Sequence, residues 1–268
     1  MSSAPLELIS LSVSPYSLTA RWALNYCGVP FKVTPYEPIL GELGLRLRLL
    51  WRGYVAWKVT VPVLLTDKSV LPSTFDIALY AHEASPDRHF LDDVDAVRMW
   101  DTRYQRMLSR FRHLLMTDVQ AHPDLAIEYA PPALRQHAPS VASVFASVGV
   151  SVFNWKYSAE SAATNADVVR DTLVLMQKTL ATQPFLLGDH FTYADMLMAV
   201  AIDLLVPGPQ STVQGKRKDL MLARGLADGF DDVVAWKTSI FDRYFTETPS
   251  KSTARHSANV GSIGIPHE

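Results

Sequence analysis

Short apolar runs and helical patterns alternate along the first part of the chain. Apolar runs at 7–12 and Phe31–Pro35 predict two strands, and residues 17–27 between them have helical spacing. The two strands are therefore expected to lie parallel, joined by a right-handed crossover. Within residues 41–52, Leu alternates with Arg, a pattern that leaves a short helix and an irregular loop both open.

The next two apolar runs, 61–65 and 69–71, flank Asp67-Lys68 and predict a hairpin. Residues 74–83 then return to helical spacing. The complete order, β-α-β-α-β-β-α, is typical of a thioredoxin-like domain, which we place at residues 1–84.

Helical patterns fill the rest of the chain. After a polar break at 85–88, apolar residues recur at helical spacing in four segments, 94–119, 158–182, 192–206 and 233–245. These segments predict an all-helical domain over residues 90–246. The proline-rich segment 119–157 is longer than a connection between two helices needs, and it predicts an extra helix at 140–153. The tail, 247–268, is rich in Ser, Gly and Thr and is expected to be poorly anchored.

The composition argues against several classes of protein. Hydrophobic residues make up 48% of the chain and charged residues 19%, and the net charge of -2 favours neither a nucleic acid nor an anionic membrane as partner. The apolar run 196–206 is too short to span a bilayer and contains Asp203, so no membrane insertion is predicted. The eight histidines lack metal-binding spacing, and no metal is predicted.

The cysteine count indicates a reducing compartment. Cys27 is the single cysteine, so no internal disulfide can form. The N-terminus shows no secretory signal, and the predicted location is the cytoplasm. Cys27 falls late in the first helix and outside any C-x-x-C motif, so we expect a buried, inert thiol.

The dipeptide Val61-Pro62, inside an apolar run, is the first indication of a ligand site. Proline donates no ladder hydrogen bond and belongs at the start, edge or bulge of a strand. X-Pro is also the bond that adopts the cis form at modest cost. A cis proline at the start of a strand would leave the amide and carbonyl of Val61 available to an extended ligand. Ten residues on, Ser73 and Thr74 begin a helix whose amides suit a carboxylate.

This arrangement resembles the glutathione site of the glutathione transferase superfamily, and both ends of the chain support the resemblance. Ser14-Pro15-Tyr16, followed by Arg21, Ala23 and Leu24, is similar to the opening of the serine-type enzymes. Residues 185–195 resemble the motif F-L-x-G-D-x-x-T-x-A-D, in which Thr192 and Asp195 have the spacing of a capping box. The resemblance covers residues 6–83 and 158–205. It implies an α/β thioredoxin-like N-terminal domain followed by an all-α C-terminal domain.

The resemblance implies that glutathione is the co-substrate and that the Ser14 hydroxyl donates a hydrogen bond to its thiolate. Amides at the helix start add positive potential, so the pKa of the bound thiol would fall. Tyr16 and Ser17 are the alternative donors. All three side chains are also compatible with a role limited to stabilising the turn.

The resemblance places the γ-glutamyl end of glutathione at Ser73 and Thr74. Relatives have an acid followed by a hydroxyl; Thr74 keeps the hydroxyl, but the neutral Ser73 cannot pair with the ammonium. A lost charge-assisted hydrogen bond costs on the order of 1.5–3 kcal/mol, and Asp76 is the nearest acid that could compensate. Val61 and Pro62 would hold the peptide backbone. Two basic residues are weaker candidates for ligand contact. Lys58 could bind the glycine carboxylate of glutathione. Arg21 is expected to pair with an acid of the protein and not with the ligand.

Four side chains along one side of the helix 94–119 are candidates for contact with a small apolar electrophile, although only a minority should face a cleft: Trp100, Tyr104, Met107 and Phe111. Aromatic stripes on helices are usually core, so that interpretation stays open. The segment 119–157 fits a lid, a dimer surface or a simple extension.

The predicted activity is a glutathione conjugation or isomerisation. The alternative is a binding or regulatory protein with a degraded glutathione site. In either case the resemblance implies a two-fold homodimer, with the first domain of one chain against the helical domain of the other.

Overall fold

The computed structural model describes residues 6–37, 41–55, 59–122, 124–127 and 167–245. The first part of the chain forms four strands and three helices, as the sequence predicts. The strands are β1 Leu6–Ser10, β2 Phe31–Pro35, β3 Val63–Leu65 and β4 Val70–Leu71. The helices are α1 Pro15–Tyr26, α2 Glu42–Trp51 and α3 Thr74–Ala84. Of the two alternatives left open for residues 41–52, a short helix and an irregular loop, the structure has the helix, α2.

The strands form one mixed sheet in the order β2-β1-β3-β4. β1 runs parallel to β2 and antiparallel to β3, and β4 pairs antiparallel with β3. This topology confirms the predicted parallel pairing of β1 with β2 and the predicted hairpin of β3 and β4. Gly28 ends the turn after α1 with a φ of +68°, a conformation that favours glycine.

The remainder of the described chain is mostly helical. A short 3-10 turn at Pro86–Arg88 precedes α4 Val94–Ala121, α5 Asp124–Ile127, α6 Val168–Leu180, α7 Tyr193–Leu205, α8 Gly215–Leu222 and α9 Asp231–Tyr244. Helix α8 was not predicted from the sequence. The predicted helix 140–153, the start of the predicted helix at 158 and the tail from 246 lie outside the described residues. No helix within the described ranges has the length and apolar character needed to cross a bilayer.

The two faces of the sheet belong to two different cores. Side chains alternate along each strand, so Leu8 and Leu64 join the large core with α1 and α3, while Ile9 and Val63 join a smaller one under α2. The large core continues without a break through α4, α6, α7 and α9. Every residue of α7 is buried, which makes this helix the centre of the helical part.

The start of α7 confirms the predicted capping box. The Thr192 amide and hydroxyl each donate to the Asp195 carboxylate, at 2.8 Å. The Leu186 amide donates to the other carboxylate oxygen at 2.7 Å. Asp195 is fully buried, and burial raises its pKa to about 6 despite these donors. The box therefore fixes both the start of α7 and the turn before it.

Candidate functional site at the edge of the sheet

Three segments of the chain meet at one edge of the sheet. The β1–β3 register pairs Ile9 with Val63, and its continuation sets the chain after β1 beside Val61. The β3–β4 register pairs Leu64 with Leu71, and its continuation sets Ser73 opposite Pro62. Strand pairing therefore directs the predicted site residues before α1, before β3 and before α3 to the same end of the sheet.

Ser14 is the N-cap of α1. Its backbone is extended, and its hydroxyl accepts a hydrogen bond from the Ser17 amide at 3.4 Å. Its own amide donates to the Leu11 carbonyl at 3.1 Å, which closes the turn after β1. The side chain is half-buried, so it is open to solvent at the edge. The capping role predicted as the alternative is therefore present, and it leaves the hydroxyl able to donate to a ligand.

The two fallback donors have different surroundings. Ser17 is fully buried, and its hydroxyl accepts from the Leu11 amide at 3.1 Å, so its visible role is to hold the turn. Tyr16 is half-buried, and its ring meets that of Tyr104 edge to face, with centroids 5.8 Å apart. The Arg112 guanidinium donates to the Tyr16 hydroxyl at 3.3 Å. Tyr16 therefore lies where α1 and α4 meet.

Ser73 is the N-cap of α3 and is bonded to Asp76 twice. The Asp76 amide donates to the Ser73 hydroxyl at 3.1 Å, and this hydroxyl donates to the Asp76 carboxylate at 2.6 Å. Asp76 is exposed. A carboxylate thus lies beside the position at which the resemblance requires an acid, although it belongs to a residue three positions further on, in the first turn of α3.

Thr74 is more enclosed than the sequence suggested. It is 5% exposed, and its carbonyl accepts a hydrogen bond from the Tyr193 hydroxyl at 3.2 Å, so it joins α3 to α7. Desolvation raises the pKa of this buried tyrosine hydroxyl, which therefore remains a donor. The Thr74 amide still belongs to the first turn of α3.

The remaining candidates around the edge differ in their outcome. The Val61-Pro62 bond is cis, as predicted, and Val61 precedes the β3 ladder. Lys58 lies outside the described residues. Arg21 donates to the Ser10 hydroxyl at 2.7 Å.

Cys27 is 4% exposed, and burial raises its pKa to about 11. The thiol is therefore protonated near neutral pH, which agrees with the predicted inert role. Within the described ranges, no group of three or more His, Cys, Asp or Glu side chains is placed to hold a metal ion.

Comparison with known proteins gives one matching family model and several solved structures of similar fold. Residues 13–84 match the family model described as "Glutathione S-transferase, N-terminal domain". Over the chain as a whole, poplar glutathione transferase F1 superposes with a TM-score of 0.55 at 16% identity, covering 96% of this chain and 100% of the poplar protein. Residues 13–84 therefore match the N-terminal domain of glutathione S-transferases, and the chain as a whole has the fold of a glutathione transferase.

Two further transferase structures have the same fold. A delta-class enzyme of Nilaparvata lugens has a TM-score of 0.52 at 14% identity, covering 95% of each chain. Glutathione S-transferase I from maize, solved with an atrazine glutathione conjugate, has a TM-score of 0.50 at 17% identity, covering 97% of this chain and 100% of the maize protein. At these identities the likeness concerns the fold. Sequence comparison with curated proteins gives no match.

In this transferase fold, the helix that would face the electrophile is largely core. Trp100, Tyr104 and Met107 are at most 5% exposed and belong to the large core. They therefore contribute packing in this structure and do not line an open cleft. Phe111, one turn further along α4, is half-buried and is the member of the set that reaches the surface.

Arg112 is the residue near the site that sequence reasoning missed. It follows Phe111 on α4 and contacts Tyr16 across 96 positions of the chain. No local motif marks it, since α4 holds several arginines and the pattern of one helix does not reveal which arginine faces α1. The pairing of α1 with α4 selects it.

Proposed function

We propose that this protein is a glutathione-dependent transferase that activates the glutathione thiolate for attack on a small apolar electrophile. The observation that carries the proposal is that Ser14 follows β1, Val61 precedes β3 and Ser73 follows β4 at the same end of the sheet, in a chain whose residues 13–84 match the transferase N-terminal domain. Each residue there offers the group that one part of glutathione needs. The reaction is a conjugation or isomerisation.

The site residues act by holding charges and hydrogen bonds. Ser14 donates its hydroxyl proton in a hydrogen bond to the thiolate sulfur, and amides at the start of α1 add positive potential. The amide and carbonyl of Val61 pair with the extended peptide of glutathione, next to Pro62. The first turn of α3, at Ser73 and Thr74, receives the γ-glutamyl carboxylate.

Asp76 is the acid that we assign to the γ-glutamyl ammonium. Its carboxylate is 2.6 Å from the Ser73 hydroxyl. The negative charge of Asp76 therefore lies next to the position of Ser73, where relatives carry an acid. An exposed carboxylate can take up this ammonium without the penalty of burying an unpaired charge. When the thiolate attacks, its electron pair forms the new carbon–sulfur bond. The electrophile gives up an electron pair in return, either with a leaving group whose bond to that carbon breaks or by moving a π pair to a neighbouring atom that then takes a proton from water.

A binding or regulatory protein without transferase activity is the second candidate. The observation that favours it is the state of the α3 start, where Ser73 carries no charge, its hydroxyl is bonded to Asp76 and Thr74 is buried. If the hydrogen-bonding groups of the site are already bonded to each other, glutathione must displace these bonds and would bind weakly. Fold alone does not distinguish the two candidates.

Two further parts of the proposal follow from the superfamily. We expect a two-fold homodimer in which the first domain of one chain packs on the helical domain of the other. We also expect the protein to act in the cytoplasm, where its single thiol stays reduced.

Calorimetric titration with glutathione is the experiment that tests the proposed function. We expect heat of binding for the wild-type protein and turnover with an electrophile panel. If neither the wild-type protein nor the Ser73→Glu variant binds glutathione in the millimolar range, the transferase proposal is wrong and the second candidate replaces it. Binding without turnover of any electrophile would also favour the second candidate.

A further inference from the structure

Helix α2 carries apolar side chains on two opposite faces. Leu45 and Leu49 point into the smaller core and are at most 5% exposed. The opposite face holds four exposed side chains at the spacing i, i+4, i+7 and i+8, namely Leu43, Leu47, Leu50 and Trp51. Val55, in the loop that follows, extends this apolar stripe. We call these five residues the outer stripe.

The outer stripe is a cluster and not a scatter of single residues. The described part of the chain has nine large exposed hydrophobic side chains, and five of them belong to the stripe. Trp51 is 90% exposed and Val55 80%. Isolated exposed apolar residues are normal, whereas contiguous patches of several hundred Å² mark interaction sites. A helix that is apolar on opposite faces is usually covered on both.

The charges beside the outer stripe favour a protein over a lipid surface. Arg46 forms an ion pair with Glu42 at 2.8 Å, and Arg48 pairs with Glu7. The basic residues on the two borders of the stripe are thus matched by acids of the same chain. Helices that lie on anionic membranes present basic side chains to the headgroups. A neutralised border instead suits an apolar protein surface that is itself uncharged.

A pocket lies beside the outer stripe and can receive a side chain from a partner. The cavity is open to solvent on one side, has a volume of about 160 Å³, and is lined by Arg46, Leu49, Leu50, Tyr54, Val55 and Val59. A cavity of about 150 Å³ with apolar walls holds an aromatic ring such as benzene. Arg46 adds a guanidinium that can stack on an aromatic face. The cavity therefore fits an aromatic side chain offered from outside.

Trp51 and the cavity lie on the same helix of the same chain. An interface with two-fold symmetry uses the same patch on both subunits, so a projecting side chain and a matching cavity in one patch are satisfied together. The five exposed side chains of the stripe supply the apolar part of such an interface, whose standard size is roughly 800 Å² per partner. A second copy of this chain meets both requirements.

We propose that α2 is a contact surface between two copies of this chain, in which Trp51 of each copy enters the cavity beside α2 of the other. This contact differs from the dimer implied by the superfamily, which joins the first domain to the helical domain. It does not depend on glutathione binding or on transferase activity.

Sedimentation velocity over the micromolar range tests the contact with Leu47→Glu and Trp51→Glu. A carboxylate in the stripe would face its own copy across the two-fold axis, so either variant should halve the association state of the wild-type protein. Val174→Glu is the matched control, because Val174 is 48% exposed on α6, outside the stripe. The control should sediment like the wild type.

Disulfide cross-linking of Leu47→Cys provides a second measurement that needs no loss of structure. Native Cys27 is buried, so the new thiol is the reactive one. Mild oxidation should give a covalent dimer of Leu47→Cys and none of Val174→Cys. A wild-type monomer of 29.8 kDa at all concentrations, or no dimer of Leu47→Cys, would overturn the proposal. Trp51-dependent flotation with phosphatidylglycerol vesicles, without self-association, would replace it by a membrane contact.

Discussion

Ser14 combines two roles that one substitution can separate. As the N-cap of α1 it accepts from the Ser17 amide, and as a donor it would stabilise the thiolate. We predict that Ser14→Ala leaves glutathione affinity nearly unchanged but raises the pKa of the bound thiol, because the lost hydrogen bond favours the ionised form. The pH dependence of kcat/KM, or ultraviolet titration of the thiolate, measures this shift.

The capping role provides the control for Ser14. Removing an N-cap hydroxyl costs about 1 kcal/mol of stability, so Ser14→Ala should also lower the Tm by a few degrees. Ser14→Thr keeps a hydroxyl and should restore both properties. An unchanged thiol pKa together with a lowered Tm would restrict Ser14 to the turn.

Asp76 is the second residue with a specific prediction. If its carboxylate holds the γ-glutamyl ammonium, Asp76→Asn should weaken glutathione binding about tenfold or more, because a charge-assisted hydrogen bond is lost. Glu83→Gln is the control, since Glu83 is an exposed acid at the far end of the same helix. Calorimetry of both variants measures the difference.

Ser73→Glu tests the opposite case. If the ammonium has no acidic partner in the wild type, the new carboxylate should tighten binding by about 1–3 kcal/mol. We expect little gain, because Asp76 already lies beside Ser73. A clear gain in Ser73→Glu, with no effect of Asp76→Asn, would contradict our assignment of Asp76.

At the scale of elements, the cap of α7 predicts a pH dependence of stability. Burial raises the pKa of Asp195 to about 6, from 3.8 in the unfolded chain. Between these values the folded state binds more protons than the unfolded state, so this group stabilises the fold increasingly as the pH falls from about 6 to about 4. Asp195→Asn removes this dependence. In urea unfolding across that range, the free energy of unfolding of the wild type should rise relative to that of the variant by up to a few kcal/mol as the pH falls.

Asp242→Asn is the control for this measurement, because Asp242 is an exposed acid on α9. It should follow the wild type across the pH range. Asp195→Asn should also lower stability at every pH by about 1–3 kcal/mol, since its amide group faces the amide donors of Leu186 and Thr192. A constant difference between wild type and Asp195→Asn would show that burial does not control the protonation of Asp195.

At the scale of the whole molecule, one core joins the thioredoxin-like part to the helices. Trp22 on α1 is fully buried and donates to the Tyr244 carbonyl of α9 at 2.8 Å. Tyr193 on α7 donates to Thr74 on α3. We predict a single unfolding transition, in which tryptophan fluorescence and far-ultraviolet circular dichroism coincide in urea.

A truncated chain of residues 1–86 tests the same point. It would expose the apolar surface that α7 and α9 cover in the full chain, so it should aggregate or show no cooperative transition. Two separate transitions of the full chain, or a stably folded fragment, would instead support independent folding of residues 1–84 and 90–246.

The sequence alone determined the elements and the order in which they follow one another. Period-two and helical patterns place each strand and most helices within a few residues, because they reflect which side of an element is buried. Strong local signals gave Val61-Pro62 and the Thr192–Asp195 cap. Helix α8 was missed because half of its residues, 215–222, are charged and it buries a single side chain, Met221.

Tertiary structure decided which candidates are accessible and which charges meet. A helical aromatic stripe has the same spacing in a core as in a cleft, so the pattern could not show that Trp100 and Tyr104 are buried while Phe111 reaches the surface. The contact of Arg112 with Tyr16 depends on how α4 packs on α1. Nor does a Leu-Arg alternation reveal that one face of α2 is left uncovered. Burial and contacts between distant residues follow from the packing of whole elements, which local sequence does not encode.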